Sequence, residues 1–270
     1  MKKINIGIVG CGNIGSNISK YIKANMLSFI KKIIVFDENI KKSIKLRENI
    51  SNVNVVKNLE MLVNVSDFII EAASPTIVPE LLKRVIEKNK ILMILSIGGL
   101  LEQEDLLLLA RKKNIRIFLP SGAIAAIDGI KASKIAGIKK ITLNTYKPIK
   151  AIQGEKYILD KKINLDEVKE ELVVFKGKAM DAIKAFPRNI NVSSLLSIVG
   201  IGFKNTIVKI IVSPKYTKNT HKIEIISNAG KINVCVENVP SPENPKTSYL
   251  AYLSAVSCLE SFFNSVKIGT

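Results

Sequence analysis

The chain has 270 residues, of which 47% are hydrophobic, and its formal net charge at pH 7 is +18. This length suits two domains or one large domain. No stretch reaches the roughly 18 uninterrupted apolar residues that a membrane span needs, and no segment looks like a signal peptide. We therefore expect a protein of the cytoplasm that does not associate with membranes.

The positive charge is distributed along the whole chain rather than gathered in an arginine-rich segment. Asparagine and isoleucine are abundant together with lysine, so a compositional bias accounts for the charge more simply than nucleic-acid binding does. We predict no nucleic-acid partner. A basic surface still favours anionic ligands such as dinucleotides and dicarboxylates.

The three cysteines, Cys11, Cys235 and Cys258, lie far apart in the sequence. An odd number of cysteines without CxxC or Cys/His spacing argues against a disulfide framework and against a zinc site. We predict reduced cysteines and no bound metal.

The segment "INIGIVGCGNIG" (4–15) combines an apolar strand with the pattern G-x-G-x-x-G, and an amphipathic helix pattern follows. Strand, glycine turn and helix in this order predict a dinucleotide site. Gly10 permits the tight turn, Gly12 lets the backbone approach a pyrophosphate, and Gly15 lets the helix pack on the strand. Asn13 and Ile14 open the helix, whose free N–H groups favour phosphate.

A second strand, "KIIVFD" (32–37), ends in Asp37, close to the spacing expected for the acid that binds the adenosine ribose. A carboxylate at this position would repel a 2′-phosphate, which favours NAD over NADP. Lys41 and Lys42 lie nearby and leave NADP open. The alternative is a surface aspartate in an α/β protein that binds no cofactor.

Strands and helices continue to alternate up to about residue 122, which predicts a doubly wound parallel sheet of the Rossmann type. Ligands bind beyond the carboxyl ends of such strands. The strand "SDFIIEAASP" (66–75) ends in small residues, including Ala73 and Ser74, which leave room for the nicotinamide ribose. Glu71 either faces this crevice or is a buried packing carboxylate.

Residues 123–270 lose the regular alternation and predict an α+β domain with a largely antiparallel sheet. The expected elements are a helix at 123–137, a strand at 138–148, two helices divided by a proline within 177–202, three further strands and a helix at about 247–264. We place the domain boundary at residue 122, and the last helix is expected to pack back on the first domain.

The only histidine of the chain, His221, lies in "NTHKIEI" (219–225). Residues i and i+2 of a strand share a face, so Asn219 and His221 head a face that Ile223 and Ile225 continue. A lone strand histidine is more often structural, but a dehydrogenase needs a group that exchanges protons near neutral pH. His221 is the one histidine available for that task.

Five stretches together resemble the archaeal and bacterial L-aspartate dehydrogenases. They are "GIVGCGNIG" (7–15), "PSGAIAAIDGIKAS" (120–133), "FPRNINVSS" (186–194), "NTHKIEI" (219–225) and "NPKTSYLAYLSAV" (244–256). The first is common to many dehydrogenases, and the others are far more specific. The segment "GAIAA" (122–126) departs from the glycine-rich family pattern, because Ala125 and Ala126 stiffen this helix start.

The resemblance implies NAD(P)-dependent oxidation of L-aspartate to iminoaspartate, which hydrolyses to oxaloacetate and ammonia and could supply NAD biosynthesis. It also implies a homodimer. By position, His221 corresponds to the family's acid/base and Asn219 to its companion in the substrate site. Ala123 and Asn191 correspond to contacts with the nicotinamide end of NAD; for Asn189 and Asn191 the alternative is a helix N-cap.

The two carboxylates of such a substrate need donors. Lys246, Thr247 and Ser248 are the candidates, because they lie at the expected start of the last helix, where anions are favoured. The alternative is simple N-capping by Thr247 or Ser248. Two other functions stay open: a related reductase of the dihydrodipicolinate or homoserine type, and a non-catalytic protein that senses NAD.

Overall fold

A computed structural model describes residues 2–187, 190–242 and 244–269, with the backbone alone for residues 244–246. The chain divides into two compact units. One comprises Met1–Pro120 and Ser254–Val266, and the other comprises Ser121–Leu253 and Lys267–Thr270. Within the described residues, none of the helices combines the length and the hydropathy needed to cross a bilayer.

The first unit contains a six-stranded parallel sheet in the order β3-β2-β1-β4-β5-β6. Its strands are β1 (Ile4–Val9), β2 (Ile30–Phe36), β3 (Val53–Val55), β4 (Phe68–Glu71), β5 (Ile91–Ile94) and β6 (Ile117–Phe118). Its helices are α1 (Asn13–Asn25), α2 (Ile40–Asn49), α3 (Leu59–Val65), α4 (Val78–Glu87) and α5 (Glu104–Lys112). The order reverses direction at β1, as in doubly wound dinucleotide-binding folds, so the predicted Rossmann-type architecture is confirmed.

Residue patterns account for these elements. The strands read as continuous apolar runs because both faces of a parallel sheet are covered, and Ile6, Ile8 and Ile69 are fully buried. Helix α4 buries Val78, Leu81, Leu82, Val85 and Ile86, the i, i+3, i+4, i+7, i+8 stripe of an amphipathic helix. Helices α2 and α3 were not predicted from the sequence, although asparagine caps mark both starts: Asn39 accepts from the Lys41 N–H and Asn58 from the Met61 N–H.

The second unit contains a five-stranded sheet in the order β11-β10-β7-β9-β8. Its strands are β7 (Ile138–Pro148), β8 (Leu172–Lys178), β9 (Ile207–Ser213), β10 (Asn219–Ser227) and β11 (Gly230–Asn238), and a hairpin adds β12 (Pro240–Ser241) and β13 (Asn244–Ser248). Its helices are α6 (Ile127–Ala136), α7 (Lys156–Asp160), α8 (Ala179–Ala185) and α9 (Asn191–Val199), and α10 (Tyr249–Phe263) ends the chain's regular structure. Only the β7–β9 pair is parallel among the described pairs of this sheet, so the prediction of a largely antiparallel sheet is confirmed.

Two helix starts differ from their predicted positions. The helix expected from residue 177 begins at Ala179, because Gly177 and Lys178 still pair with β9. The last helix begins at Tyr249 rather than near residue 247, because Thr247 and Ser248 belong to β13, which pairs with β12. Residues 246–248 therefore immediately precede the helix as part of a strand, and do not form its first turn.

The helix predicted at 123–137 also begins later, at Ile127. Gly122 and Ala126 both have left-handed backbone conformations, with φ of +64° and +68°, and such residues interrupt a right-handed helix. A non-glycine residue pays about 1–2 kcal/mol for this conformation. Ala126 therefore occupies a position that glycine would suit better, in the segment where the chain departs from the glycine-rich pattern.

Candidate functional site

The turn between β1 and α1 requires its glycines for different reasons. Gly10 has φ of +96°, and a Cβ there would lie 2.6 Å from the carbonyl oxygen of Ala72. A Cβ on Gly15 would overlap the carbonyl oxygen of Gly10. A Cβ on Gly12 would meet nothing within 4 Å. Space beside Gly12, rather than packing, is what a pyrophosphate needs in order to reach the backbone.

Asp37 directly follows β2 and is held against the glycine turn. Its carboxylate accepts hydrogen bonds from the backbone N–H groups of Cys11 and Asn39, each at 2.8 Å. These two bonds orient the carboxylate at the carboxyl end of the sheet. An acid in this position can accept further hydrogen bonds from a ribose diol.

A cavity of about 190 Å³ opens at this end of the sheet. Its lining includes five of the residues predicted to contact the cofactor: Gly10, Gly12, Asp37, Ala73 and Ser74. Asn13, Ile14 and Gly15 begin helix α1 beside it. The cavity is also lined by Phe36, Glu38 and Ile77, which were not predicted from the sequence to be site residues.

Of the two alternatives for Glu71, the structure shows the buried packing carboxylate. The side chain is fully buried, and its carboxylate accepts from the N–H groups of Ala73 and Ser96, both at 2.8 Å. Burial raises the pKa of Glu71, and these hydrogen bonds work against that rise. Glu71 thus ties the carboxyl end of β4 to the segment after β5 and holds the backbone of Ala73 in place.

In the second unit, His221 lies on the buried face of β10, where only 6% of the residue is exposed. Its Nδ1 lies 3.1 Å from Oγ1 of Thr145, the residue directly opposite on β7. Burial, and to a lesser extent the positive charge of Lys147, lower the pKa of His221 to about 3. The imidazole is therefore neutral at pH 7.

The same face of the sheet carries Lys147, which was not predicted from the sequence to be a site residue. Ile141, Leu143, Thr145 and Lys147 alternate along β7, and all four are buried. The signal was present in "ITLNTYKP", where an apolar i, i+2 stripe ends in a lysine. Burial lowers the pKa of Lys147 to about 8, and the nearby carboxylate of Glu155 counteracts this effect.

A cavity of about 560 Å³ adjoins this end of the sheet. Three of the predicted substrate residues, Asn219, Thr247 and Ser248, line it together with Lys147. The side chain of Lys246 lies outside the described residues. His221 lies two residues after Asn219 on the same face of β10. The cavity therefore lies at the polar end of this face, and the rest of the face continues into the apolar core.

Two amide oxygens in this cavity have unmet hydrogen-bonding capacity. Asn219 and Asn238 are directly opposite each other on β10 and β11, and both line the cavity. Within the described part of the chain, neither Oδ1 atom has a hydrogen-bond partner, although both are buried. Nδ2 of Asn238 donates to the carbonyl of Ala123 at 3.1 Å, which directs Oδ1 away as an acceptor. Buried acceptors of this kind favour a ligand that donates hydrogen bonds.

Two predicted contacts of the nicotinamide, Ala123 and Asn191, belong to the second unit and are not among the described residues that line either cavity. Ala123 is buried and accepts from Asn238, whereas Asn191 is exposed at the first residue of α9. Ile190 occupies the N-cap position of α9, so Asn191 is not the cap. Asn189 lies outside the described residues. The cofactor roles of Ala123 and Asn191 stay predictions.

The lowered pKa of Lys147 predicts a pH-dependent stability. Between about pH 8 and its ordinary value of 10.5, the unfolded chain binds a proton that the folded chain has released. The free energy of unfolding therefore rises with pH through this window, by an amount on the order of 3 kcal/mol. Urea unfolding between pH 7.5 and 10.5 measures it. Lys147→Met should remove the rise, whereas Lys150→Met, at an exposed lysine, should keep it; a rise that persists in Lys147→Met would contradict the assignment.

Comparisons with known proteins agree with this geometry. Residues 10–120 match the model of the homoserine dehydrogenase NAD-binding domain, and residues 128–262 match the model of the aspartate dehydrogenase C-terminal domain. L-Aspartate dehydrogenases from Methanosarcina mazei and Methanosarcina acetivorans are 38% and 40% identical to the chain, covering 99% of it and 100% of their own length. The crystal structure of aspartate dehydrogenase from Thermotoga maritima is 25% identical, with a TM-score of 0.78 over 99% of this chain and 100% of that one.

The sheet order, the glycine turn and the matched NAD-binding domain define the class: the chain is an NAD(P)-dependent dehydrogenase. The identity over the full length of the archaeal relatives is well above what a shared fold alone would produce. The chain belongs to the L-aspartate dehydrogenase family, whose members are oxidoreductases acting on CH–NH2 groups. The resemblance noted in the sequence is confirmed.

Proposed function

We propose that the chain oxidises L-aspartate with NAD, forming iminoaspartate, which water then converts to oxaloacetate and ammonia. The observation that carries this proposal is the sheet face of the second unit. There a buried ammonium and two amide oxygens, which have no partner among the described residues, line one cavity. A neutral, buried imidazole lies two residues further along the strand face that Asn219 begins. An amino dicarboxylate offers both the anion and the hydrogen-bond donors that this set of groups requires.

The residues of the first unit fit a dinucleotide. The free space beside Gly12 suits the approach of a pyrophosphate, the start of α1 favours its negative charge, and Asp37 is oriented to accept from a ribose. When bound, NAD supplies the acceptor for the hydride that leaves Cα of the substrate. The first unit's own contribution is to bind and orient.

His221 would exchange protons with the substrate nitrogen. Aspartate carries an ammonium in water, and its nitrogen must lose a proton before the lone pair can form the C=N bond as the Cα–H bond breaks. The neutral imidazole can accept that proton once the substrate carboxylates offset the charge of Lys147 and so raise the imidazole pKa. With Nδ1 engaged by Thr145, this exchange falls to Nε2. After that proton has been released to solvent, the same nitrogen can deprotonate the water that attacks the imine.

Asn219, Thr247 and Ser248 would position the substrate. All three line the cavity, and the hydroxyl groups can donate to a carboxylate. Thr247 and Ser248 belong to β13 and immediately precede α10, so they stand at the N-terminal end of that helix, where anions are favoured. Lys246 stays a predicted carboxylate donor.

Steady-state oxidation of a panel of amino acids with NAD and with NADP tests the proposal, followed by the absorbance of the reduced cofactor. We expect turnover with L-aspartate and little with L-alanine, which lacks the second carboxylate. Turnover with a different amino or dicarboxylic acid would favour a related reductase. Cofactor binding without turnover of any substrate would favour a sensing protein.

NAD rather than NADP is the proposed cofactor, and Asp37→Ser tests this preference. Removal of the carboxylate eliminates its hydrogen bonds to the ribose and its repulsion of a 2′-phosphate, while Lys42 stays in the cavity lining. We expect KM for NAD to rise roughly 10-fold to 100-fold, as for loss of charged hydrogen bonds, and KM for NADP to fall. Initial rates with both cofactors measure it. Unchanged preference would show that Asp37 does not select the cofactor.

The physiological setting follows from the product. Iminoaspartate released before hydrolysis could supply NAD biosynthesis, and we propose this as the role of the enzyme. A homodimer in the cytoplasm is the matching proposal for its assembly and location, and it rests on the family resemblance.

A further inference from the structure

The larger cavity contains a charge that none of the assigned roles uses. Lys147 is 6% exposed yet belongs to the lining, whereas the other lining lysines, Lys150 and Lys218, are exposed. Among the described lining residues, these three lysines face one carboxylate, that of Glu155. A cavity with this excess of positive charge favours an anionic ligand.

A buried lysine on a strand has a cost that solvent-exposed lysines avoid, because burial disfavours the charged form. The lowered pKa of Lys147 expresses that cost, although at pH 7 the ammonium still predominates. A carboxylate that binds against the ammonium would offset the cost. An exposed lysine such as Lys150 would gain little from the same contact, since water already solvates it.

The position of Lys147 relative to the other groups is set by strand register. Thr145 is opposite His221, and Tyr146 is opposite Thr220, so Lys147 continues the same ladder toward Asn219. Diagonal neighbours on one sheet face are roughly 7–8 Å apart, a distance that a lysine side chain spans. Lys147 and His221 already influence each other electrostatically.

We propose that Lys147 binds a carboxylate of the dicarboxylate substrate, and that the amide oxygens of Asn219 and Asn238 accept from its amino group. The substrate is thereby oriented with its anionic end at β7 and its nitrogen at the β10–β11 pair, beside the face that carries His221. This inference rests on the proposed function in identifying the dicarboxylate as the substrate. It adds two residues, Lys147 and Asn238, to the substrate site.

The binding of succinate tests the role of Lys147 without any turnover, because succinate is a dicarboxylate that lacks the amino group. Calorimetric titrations would use the full chain with saturating NAD. We expect Lys147→Met to weaken succinate binding about 10-fold to 100-fold, as for a lost hydrogen bond between charged groups, and Lys147→Arg to retain most of it. Lys150→Met and Lys218→Met are matched controls that remove an exposed charge from the same cavity, and they should change Kd by less than about fivefold.

The single histidine provides an independent readout, since its imidazole C–H signals in NMR report His221 alone. Thr145, Lys147 and, beyond Lys147, Glu155 are the groups that act on this ring or on its charged neighbour. Succinate bound to Lys147 should shift the imidazole C–H signals of His221 at pH 7 in the wild-type protein, because it offsets the charge of Lys147 that acts on the ring. This measurement requires no variant, so it holds even if Lys147→Met does not fold.

Three results would overturn the inference: succinate binding by Lys147→Met with the wild-type Kd, imidazole signals of His221 at pH 7 that succinate leaves unchanged, or no binding of succinate by the wild-type protein. The outcome is separable from that of the proposed function. If the wild-type protein oxidises L-aspartate but Lys147→Met binds succinate as tightly as wild type, the inference alone is rejected. Lys147-dependent succinate binding without turnover of L-aspartate would reject the proposed function alone.

Discussion

Replacing His221 with alanine is expected to lower the turnover of L-aspartate roughly 10²–10⁴-fold, the usual contribution of a positioned acid/base. The reason is specific to this site. The imidazole is buried, neutral at pH 7 and oriented through Nδ1 by Thr145, so no water molecule of bulk solvent can replace it in the same geometry. Steady-state rates at saturating L-aspartate and NAD measure the effect.

A buried histidine also contributes to packing, so the loss of turnover needs a control for stability. His221→Gln keeps most of the side-chain volume and a hydrogen-bonding group but cannot exchange protons near neutral pH. We expect it to lose turnover to a similar extent as His221→Ala while its unfolding transition stays closer to that of the wild-type protein. Thr145→Val removes only the partner of Nδ1 and should lower turnover less. Full activity of His221→Gln would exclude proton transfer by His221.

Replacing Gly15 with alanine is expected to destabilise the first unit by about 3 kcal/mol, the upper range for inserting a methyl group where there is no room. The new Cβ would overlap the carbonyl oxygen of Gly10, which is backbone and cannot move aside without displacing α1 from β1. Urea unfolding followed by circular dichroism measures the loss. Binding of NAD should weaken in parallel, because the same displacement moves the N–H groups at the start of α1.

Gly12→Ala is the matched control, since the two positions are three residues apart in one turn and their surroundings differ. A Cβ on Gly12 meets nothing within 4 Å, and φ of −70° suits alanine. We expect its stability to stay within about 0.5 kcal/mol of wild type, as for most substitutions without a packing clash. Its Kd for NAD should nevertheless rise roughly 10-fold or more, because the methyl group occupies the space a pyrophosphate needs. Equal stability losses in both variants would contradict the distinction.

The pattern of apolar residues predicted most of the fold. Continuous apolar runs indicated the buried parallel strands, and alternating runs such as residues 219–225 indicated the antiparallel ones. Short or irregular elements were missed where the signal was local and weak. Helices α2 and α3 are brief, and β8 was not predicted: its last two residues, Gly177 and Lys178, were read as the start of a helix. Residues 244–248 form a strand because their backbone pairs with β12. This pairing is a tertiary contact, and in the sequence the helical pattern of residues 249–263 made the preceding residues look like the start of the same helix.

By itself the sequence determined the dinucleotide turn, Asp37 at the end of its strand, and the i, i+2 relation of Asn219 and His221, because these depend on spacing within one segment. The tertiary structure decided the surroundings of those residues. Lys147 is 74 residues before His221, and only the register of β7 against β10 places them on one face, where burial keeps the imidazole neutral. Asn238 is likewise placed in the site only by the pairing of β11 with β10, which sets it opposite Asn219. The charge state of a side chain depends on its neighbours and on the loss of water, and both arise only when distant segments pack together.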